Sequence, residues 1–151
     1  MGETGASVAS ADGADGVVDL AVVLIRRAHA VQRRMAHALR GAPIGVQHWL
    51  ILDHLAGREG ATMGDLAEAA AIPAATVTRA VDRLVDHALV YRSLGVEDRR
   101  QVLVRITDRG RGMRDEWSQV LADAVGAELP GLRDWEQGAL RGLLGSVAAT
   151  P

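Results

Sequence analysis

The stretch that decides the fold is Thr62–Thr107, TMGDLAEAAAIPAATVTRAVDRLVDHALVYRSLGVEDRRQVLVRIT. Thr62, with Asp65 three residues later, is close to the capping box that opens a helix. An apolar stripe follows, made of Leu66, Ala67 and Ala70. Residues 71–72 form the predicted turn. Pro73 is placed at the first position of the next helix, where its missing N–H costs nothing.

The second helix, about Pro73–Asp86, has two faces of different character. Val77, Val81 and Leu84 recur at spacings of four and three, which is typical of a buried helix face. The opposite face carries small, hydroxyl-bearing or charged side chains: Ala75, Thr76, Thr78, Arg79, Asp82 and Arg83. Short side chains and arginine suit a helix that approaches base edges in the major groove of DNA.

A hairpin is predicted next, from the strand patterns Leu89–Arg92 and Gln101–Ile106 and the charged tip between them. An arginine at such a tip can enter a narrow minor groove, where the potential is most negative. Asp98 lies two residues before Arg100 and could hold its guanidinium in a bidentate pair. The alternative is a solvated tip whose exposed ion pair stabilises little. Two helices and a hairpin in this order predict a winged helix-turn-helix that binds DNA.

An amphipathic helix is predicted before this unit and two more after it. Apolar residues from Val17 to Ala38 follow an a/d spacing over three heptads, with Asp15 as a candidate cap. A long helix runs from about Asp108 to Glu128, ended before Pro130. The last begins at Asp134, where Gln137 would complete a capping box.

One small winged helix cannot cover three amphipathic helices, so a two-fold dimer built from both termini is expected. The alternative is intramolecular packing in a monomeric bundle. The predicted fold is mainly α with a small β-hairpin, a winged helix-turn-helix flanked by N- and C-terminal dimerisation helices. Residues 1–15 form a flexible tail and 16–151 the regulator domain. Within that domain, 16–41 and 108–149 dimerise and 44–107 form the DNA-binding lobe.

Composition narrows the class of protein. The net charge is −2, but the stretch from Arg79 to Arg114 holds nine arginines and only five acidic residues, so its surface should attract phosphates. The absence of cysteine excludes disulfides, cysteine-ligated zinc and thiol redox sensing. No histidine spacing marks a metal site, and no cofactor is expected. Without a signal-like start or a membrane-length apolar run, a cytoplasmic protein is expected.

The stretch also resembles the multiple-antibiotic-resistance regulator (MarR) family. The likeness is carried by Ala75–Leu84, Ala88–Arg92 and Asp98–Gly110, with further likeness at Trp49–Leu55 and Leu132–Leu144. It extends from about residue 17 to about 148. The resemblance implies a bacterial homodimeric transcription regulator, commonly a repressor, that binds a pseudo-palindromic operator and is often released by a small aromatic or phenolic ligand.

The resemblance and the residues together assign two sites. The expected DNA-binding residues are Ala75, Thr76, Thr78, Arg79, Arg83, Asp98, Arg99 and Arg100. An effector is expected near Arg33, His37, His48 and Trp49, where a cation beside an aromatic wall could hold a phenolate or carboxylate. Alternatively, Trp49 belongs to the core and both histidines are solvated.

The chain departs from the family pattern in three places, one of which is a recognition helix whose only two cations, Arg79 and Arg83, are balanced by Asp82 and Asp86. Ala75 stands where a serine is usual, and Ala88 stands where a glycine usually closes the recognition helix. Two other functions remain open. A winged helix can contact an acidic protein instead of DNA, and His48, Asp53 and Asp65 could form a small hydrolase site, although no catalytic motif supports an enzyme.

Overall fold

The computed structural model describes residues 9–95, 100–126 and 132–148 of the chain. Its elements in order are α1 (Ala9–Ala38), α2 (Val46–Ala56), α3 (Met63–Ala70), α4 (Ala74–Asp86), β1 (Val90–Leu94), β2 (Val102–Ile106), α5 (Asp108–Gly126) and α6 (Asp134–Ala148). The mainly helical class with one small hairpin is therefore confirmed. None of the helices in these ranges is long and apolar enough to cross a membrane.

Helix α3 begins with the predicted capping box. The Thr62 hydroxyl accepts a hydrogen bond from the Asp65 N–H at 3.2 Å, and the Asp65 carboxylate accepts one from the Thr62 N–H at 2.8 Å. These two bonds satisfy N–H groups that the first turn of a helix leaves without partners. The hydrogen bond from the Thr62 N–H to the carboxylate, and after it one from the Thr62 side chain, lower the pKa of Asp65.

The prediction for Pro73 was wrong by one position. Its φ of −58° and ψ of 144° leave it outside the helix, as the residue that caps α4. The Pro73 carbonyl accepts hydrogen bonds from the Thr76 and Val77 N–H groups at 2.8 and 3.1 Å. Proline fixes φ but not ψ, so it serves as the cap here as readily as it serves in the first turn.

The core lies where α2, α3, α4 and the hairpin meet. Its largest fully buried side chains are Ile51, Leu52, Leu55, Leu66, Val77, Val81, Leu84, Leu89 and Val104. The three α4 positions predicted to face inward, Val77, Val81 and Leu84, are all in this set. Burial of this α4 stripe turns the polar face of α4 outward, as the sequence predicted.

The hairpin is antiparallel and is tied to the segment before α3. Val90 pairs with Ile106 and Leu94 pairs with Val102. Ala61 and Val104 exchange two backbone hydrogen bonds of 2.8 and 3.0 Å, which add a one-residue third strand. β1 begins one residue later and ends two residues later than predicted, because Leu89 is buried beneath the end of α4.

Helix α4 ends at a left-handed alanine. Ala88 has a φ of +56°, a backbone conformation in which a Cβ atom is strained and glycine is not. The Ala88→Gly variant is therefore expected to raise the free energy of unfolding by about 1 kcal/mol in urea denaturation. Ala139→Gly, in the exposed part of α6, is the matched control and should lower stability by a similar amount. A loss of stability in both variants would contradict the strain at residue 88.

Helix α6 begins at Asp134 as predicted, whereas the predicted caps of α1 and α6 were wrong. Helix α1 begins at Ala9, so Asp15 lies within it and does not cap it. At α6 the Arg133 N–H donates to the Glu136 carboxylate at 2.8 Å, while Gln137 donates to the Leu132 carbonyl at 3.0 Å. Glu136, three residues after Arg133, thus supplies one half of a capping box, since the arginine side chain has no acceptor for the return bond. The predicted end of α5 near Glu128 and Pro130 lies outside the described residues.

Helix α5 is joined to the lobe by polar contacts with α2. The Arg114 guanidinium donates to the Asp53 carboxylate at 2.9 and 2.5 Å, and Arg111 donates to the Ala56 carbonyl at 2.7 Å. The Trp49 indole N–H points to the Arg114 carbonyl at 3.4 Å. These contacts fix the long flanking helix against the helix that supports α4.

Candidate nucleic-acid interface

The exposed face of α4 carries the central part of the predicted DNA-binding set. Ala75, Thr78 and Arg79 are exposed and Thr76 is half-buried. The Thr78 hydroxyl donates to the Ala74 carbonyl at 3.2 Å, so it can still accept a hydrogen bond from a ligand. Arg79 forms no hydrogen bond or ion pair with another residue in the described part of the chain. Its guanidinium is therefore available to a partner molecule.

Arg83 has a different environment from Arg79. Its Nε and Nη2 atoms both donate to the Pro43 carbonyl, at 3.1 and 2.7 Å. Pro43 lies in the loop between α1 and α2, 40 residues away in sequence. Two of the five N–H groups of this exposed guanidinium, which was predicted to contact the DNA backbone, thus bind an intramolecular carbonyl.

One ion pair on the exposed face of α4 was not predicted from the sequence. Arg92, on β1, donates to the Asp82 carboxylate at 2.6 Å. Both side chains are exposed, so the pair stabilises the fold little. It does neutralise an acidic group that would otherwise repel phosphates. Nothing in the local pattern indicated the pair, because its members lie ten residues apart on different elements.

The wing is the hairpin formed by β1 and β2, and the structure describes it as far as Gly95 and again from Arg100. The Gly95 N–H donates to the Gln101 carbonyl at 2.8 Å, and Arg105 donates to the Ser93 hydroxyl at 2.9 Å. Arg100 is exposed at the start of the returning arm. Asp98 and Arg99 lie outside the described residues. The pairing of Asp98 with Arg100 therefore stays a prediction.

In the part of the chain that the structure describes, the four predicted effector residues lie on different surfaces. Arg33 and His37 lie in a groove along α1 with Ala30, Arg34 and Arg40, where Arg40 hydrogen-bonds His37. His48 instead lines a second groove, between α2 and α4. Trp49 is half-buried, packs against the core and contributes to neither groove. Within one chain, the predicted site is therefore divided between two surfaces.

His48 serves the backbone in this structure. Its Nδ1 accepts a hydrogen bond from the Gly45 N–H at 3.1 Å, at the start of α2. Burial, and after it the neighbouring Arg83 guanidinium, lower the pKa of His48 below its usual value. The imidazole is consequently neutral near pH 7, because a lowered pKa lies further below that pH. With Nδ1 accepting from Gly45, the neutral ring carries its proton on Nε2 and can donate one hydrogen bond to a ligand, without offering a positive charge to a carboxylate.

The residues considered for a hydrolase site are not brought together for catalysis. His48 caps α2, Asp53 binds Arg114, and Asp65 caps α3. Each polar group is therefore used in a separate structural contact. Across the described ranges, no group of three or more histidine or acidic side chains is arranged to hold a metal ion.

Comparisons with known proteins agree with this geometry. Residues 43–101 match the model of the MarR family, whereas no curated protein matches the chain. The transcriptional regulator BldR from Sulfolobus solfataricus is 26% identical, with a TM-score of 0.79 over 90% of this chain and 97% of that one.

Two ligand-bound structures are similar to the same degree. CouR from Rhodococcus jostii RHA1, bound to p-coumaroyl-CoA, is 26% identical over 88% of this chain and 94% of its own, with a TM-score of 0.78. NadR in complex with 4-hydroxyphenylacetate is 26% identical over 86% and 92%, with a TM-score of 0.77. The matched lobe, and a fold shared with solved regulators over most of its length, make the chain similar to transcription regulators of the MarR family.

Proposed function

We propose that the protein is a homodimer that binds a pseudo-palindromic operator and acts as a repressor released by a small aromatic or phenolic effector. The observation that carries the proposal is the outward face of α4, where Thr76, Thr78 and Arg79 stand beside a basic wing. Side chains of this kind read base edges when a helix enters the major groove. The small side chain of Ala75 would let the backbone of α4 approach the DNA closely, but it supplies no hydroxyl for a base or a phosphate.

The apolar surface of the flanking helices supports the dimer. Large hydrophobic side chains are exposed on two helices: Val17, Val18, Leu20, Val23 and Ile25 on α1, and Trp135, Leu140 and Leu144 on α6. Val17 is 67% exposed and Trp135 is 63% exposed, values that cost free energy in water. Exposed apolar side chains concentrated on two helices favour an interface there. A second copy, related by a two-fold axis, would cover both helices and place two α4 helices on successive half-sites.

The effector proposal rests on the groove along α1 and on the two ligand-bound relatives. The solved structure of CouR contains bound p-coumaroyl-CoA, and that of NadR is a complex with 4-hydroxyphenylacetate. Both ligands contain a hydroxyphenyl ring. In this chain Arg33 and His37 line the α1 groove, where the guanidinium suits a carboxylate or phenolate. Binding there would alter the separation of the two lobes and so their fit to the operator.

Selection of bound sequences from random duplex DNA tests the central proposal. The purified protein is expected to enrich two inverted half-sites whose centres lie one helical turn apart, about 10 base pairs. Affinity for the selected duplex should fall steeply with salt, with a slope of about −0.9 for each phosphate neutralised. Enrichment of no sequence would contradict operator binding. Salt-sensitive capture of an acidic protein without DNA binding would favour a protein-interaction module instead.

The effector proposal is tested separately on the selected duplex. Hydroxylated aromatic acids such as 4-hydroxyphenylacetate are titrated against the preformed complex and release is followed by fluorescence anisotropy. Arg33→Gln should weaken release by the acid without changing the affinity for DNA. Arg26 is exposed on α1 outside the groove, so Arg26→Gln should leave both release and DNA affinity at their wild-type values. Equal release from wild type and Arg33→Gln would remove the groove from the mechanism.

A further inference from the structure

We propose that Arg83 positions the recognition helix by holding the loop between α1 and α2, and that it does not contact the DNA backbone. The proposal rests on the proposed DNA-binding function. It replaces the assignment of Arg83 as a phosphate ligand that the sequence favoured. Arg79 and Arg83 lie one helical turn apart on α4. Arg83 donates to the Pro43 carbonyl, whereas Arg79 forms no such contact in the described part of the chain.

The contact between Arg83 and the loop is specific to arginine. Nε and Nη2 lie on one edge of the planar guanidinium, and both donate to the same Pro43 oxygen, at 3.1 and 2.7 Å. A carbonyl oxygen has two lone pairs, so the two N–H groups occupy its accepting capacity. A lysine ammonium is a single point donor on a flexible chain and cannot reproduce this edge-on grip.

The loop that Arg83 holds is itself fixed to α1 and to the core. Leu39 and Ile44, on either side of Pro43, are 6% and 2% exposed. The Leu39 N–H donates to Met35 within α1 at 3.0 Å, and the Ala42 N–H donates to Leu39 at 3.1 Å. The loop therefore follows the end of α1, and Arg83 joins that end to α4.

His48 strengthens the same junction from the other side. It caps the start of α2 through the Gly45 N–H, two residues after Pro43, and it lines one groove with Arg83 and Arg79. The loop is thus bonded by one side chain from α4 and one from α2. A displacement of α1 during dimer assembly or effector binding would reach α4 through this loop, because Arg83 is bonded to it directly.

Salt-dependent DNA binding of three variants separates positioning from phosphate contact. A residue that neutralises one phosphate contributes about 0.9 to the slope of log affinity against log salt concentration. We expect Arg83→Gln to weaken DNA binding by about threefold to tenfold, because the hydrogen bonds to Pro43 are lost. The slope of log affinity against log salt concentration should stay at the wild-type value. Arg83→Lys should weaken binding as much, since its retained charge does not restore the grip. Pro43→Ala retains the carbonyl and should bind like wild type.

The opposite pattern would overturn the proposal. If Arg83 contacts a phosphate, Arg83→Lys should bind like wild type and Arg83→Gln should lower the slope by about 0.9. Hydrogen exchange of the intact protein gives a readout that does not need DNA. Arg83→Gln and Arg83→Lys should both speed exchange of the backbone amides of residues 40–45, and Arg79→Gln should not. Unchanged exchange in the Arg83 variants would contradict the grip even if the protein binds no DNA. Faster exchange without DNA binding in wild type would retain the grip and reject only the proposed function.

Discussion

Replacing Gly110 with alanine is expected to lower the free energy of unfolding by at least about 3 kcal/mol, because the added methyl group meets backbone atoms. A Cβ at this position would lie 2.1 Å from the Leu89 carbonyl oxygen and 2.8 Å from an Ile106 side-chain carbon. Gly110 lies in the first turn of α5, against Leu89 just after the end of α4, and its N–H donates to the Thr107 hydroxyl at 2.9 Å. Relief of the clash therefore requires α5 or the end of α4 to move.

The neighbouring contacts make that movement costly. The Leu89 carbonyl already accepts from the Thr107 N–H and hydroxyl, both at 3.0 Å, and the Leu89 N–H donates to Leu84 at 2.9 Å. The Leu89 side chain is fully buried. Movement of Leu89 would break these bonds and open the core beneath the wing. Destabilisation and a displaced wing are the two expected consequences of one methyl group.

Gly112→Ala is the matched control for this prediction. It lies two residues later in the same helix, and a Cβ there would meet no atom within 4 Å. Alanine should stabilise the helix at this position by up to about 1 kcal/mol. Urea denaturation of the two variants checks both expectations. Similar stabilities for Gly110→Ala and Gly112→Ala would show that the first turn of α5 does not pack on Leu89 as described.

The second large effect is expected for operator affinity. Arg79→Ala and Arg100→Ala should each weaken binding to the selected duplex by about 1–3 kcal/mol. Arg79 stands exposed on the helix proposed for the major groove, and Arg100 is exposed on the arm next to the wing tip. Because they would read different grooves, base-sequence profiles should differ between the variants. Arg79→Ala should relax the preference in the half-site centre, and Arg100→Ala the preference for a narrow minor groove on its flank.

Arg58→Ala supplies the comparison for both substitutions. Arg58 is an exposed arginine in the turn after α2, so its removal changes the net charge equally without altering α4 or the wing. Its effect on operator affinity should be small, since distant exposed charges are screened by salt. If Arg58→Ala weakens binding as much as Arg79→Ala does, general charge and not the α4 face governs affinity. If Arg100→Ala leaves affinity unchanged, the wing has no part in binding.

Short-range patterns were sufficient to predict most of the winged helix-turn-helix. The box formed by Thr62 and Asp65 closes over three residues, and the inward positions of α4 repeat within its own turns. Sequence also identified Ala88 as a departure from a usual glycine, but only the backbone shows that the residue is left-handed. Prediction failed at the α6 cap, where Glu136 and Gln137 are adjacent candidates and local spacing does not choose between them.

By itself, then, the sequence determined the order of elements, the buried stripe of α4 and the outward set of threonines and arginine, because periodicity and capping act between near neighbours. Only the tertiary structure decided the partners of the charged groups. Arg83 meets Pro43 and Arg114 meets Asp53 across 40 and 61 residues of chain. Contacts at such separations depend on how the packed helices meet, which no local pattern records. For that reason two arginines one helical turn apart on α4 have different environments.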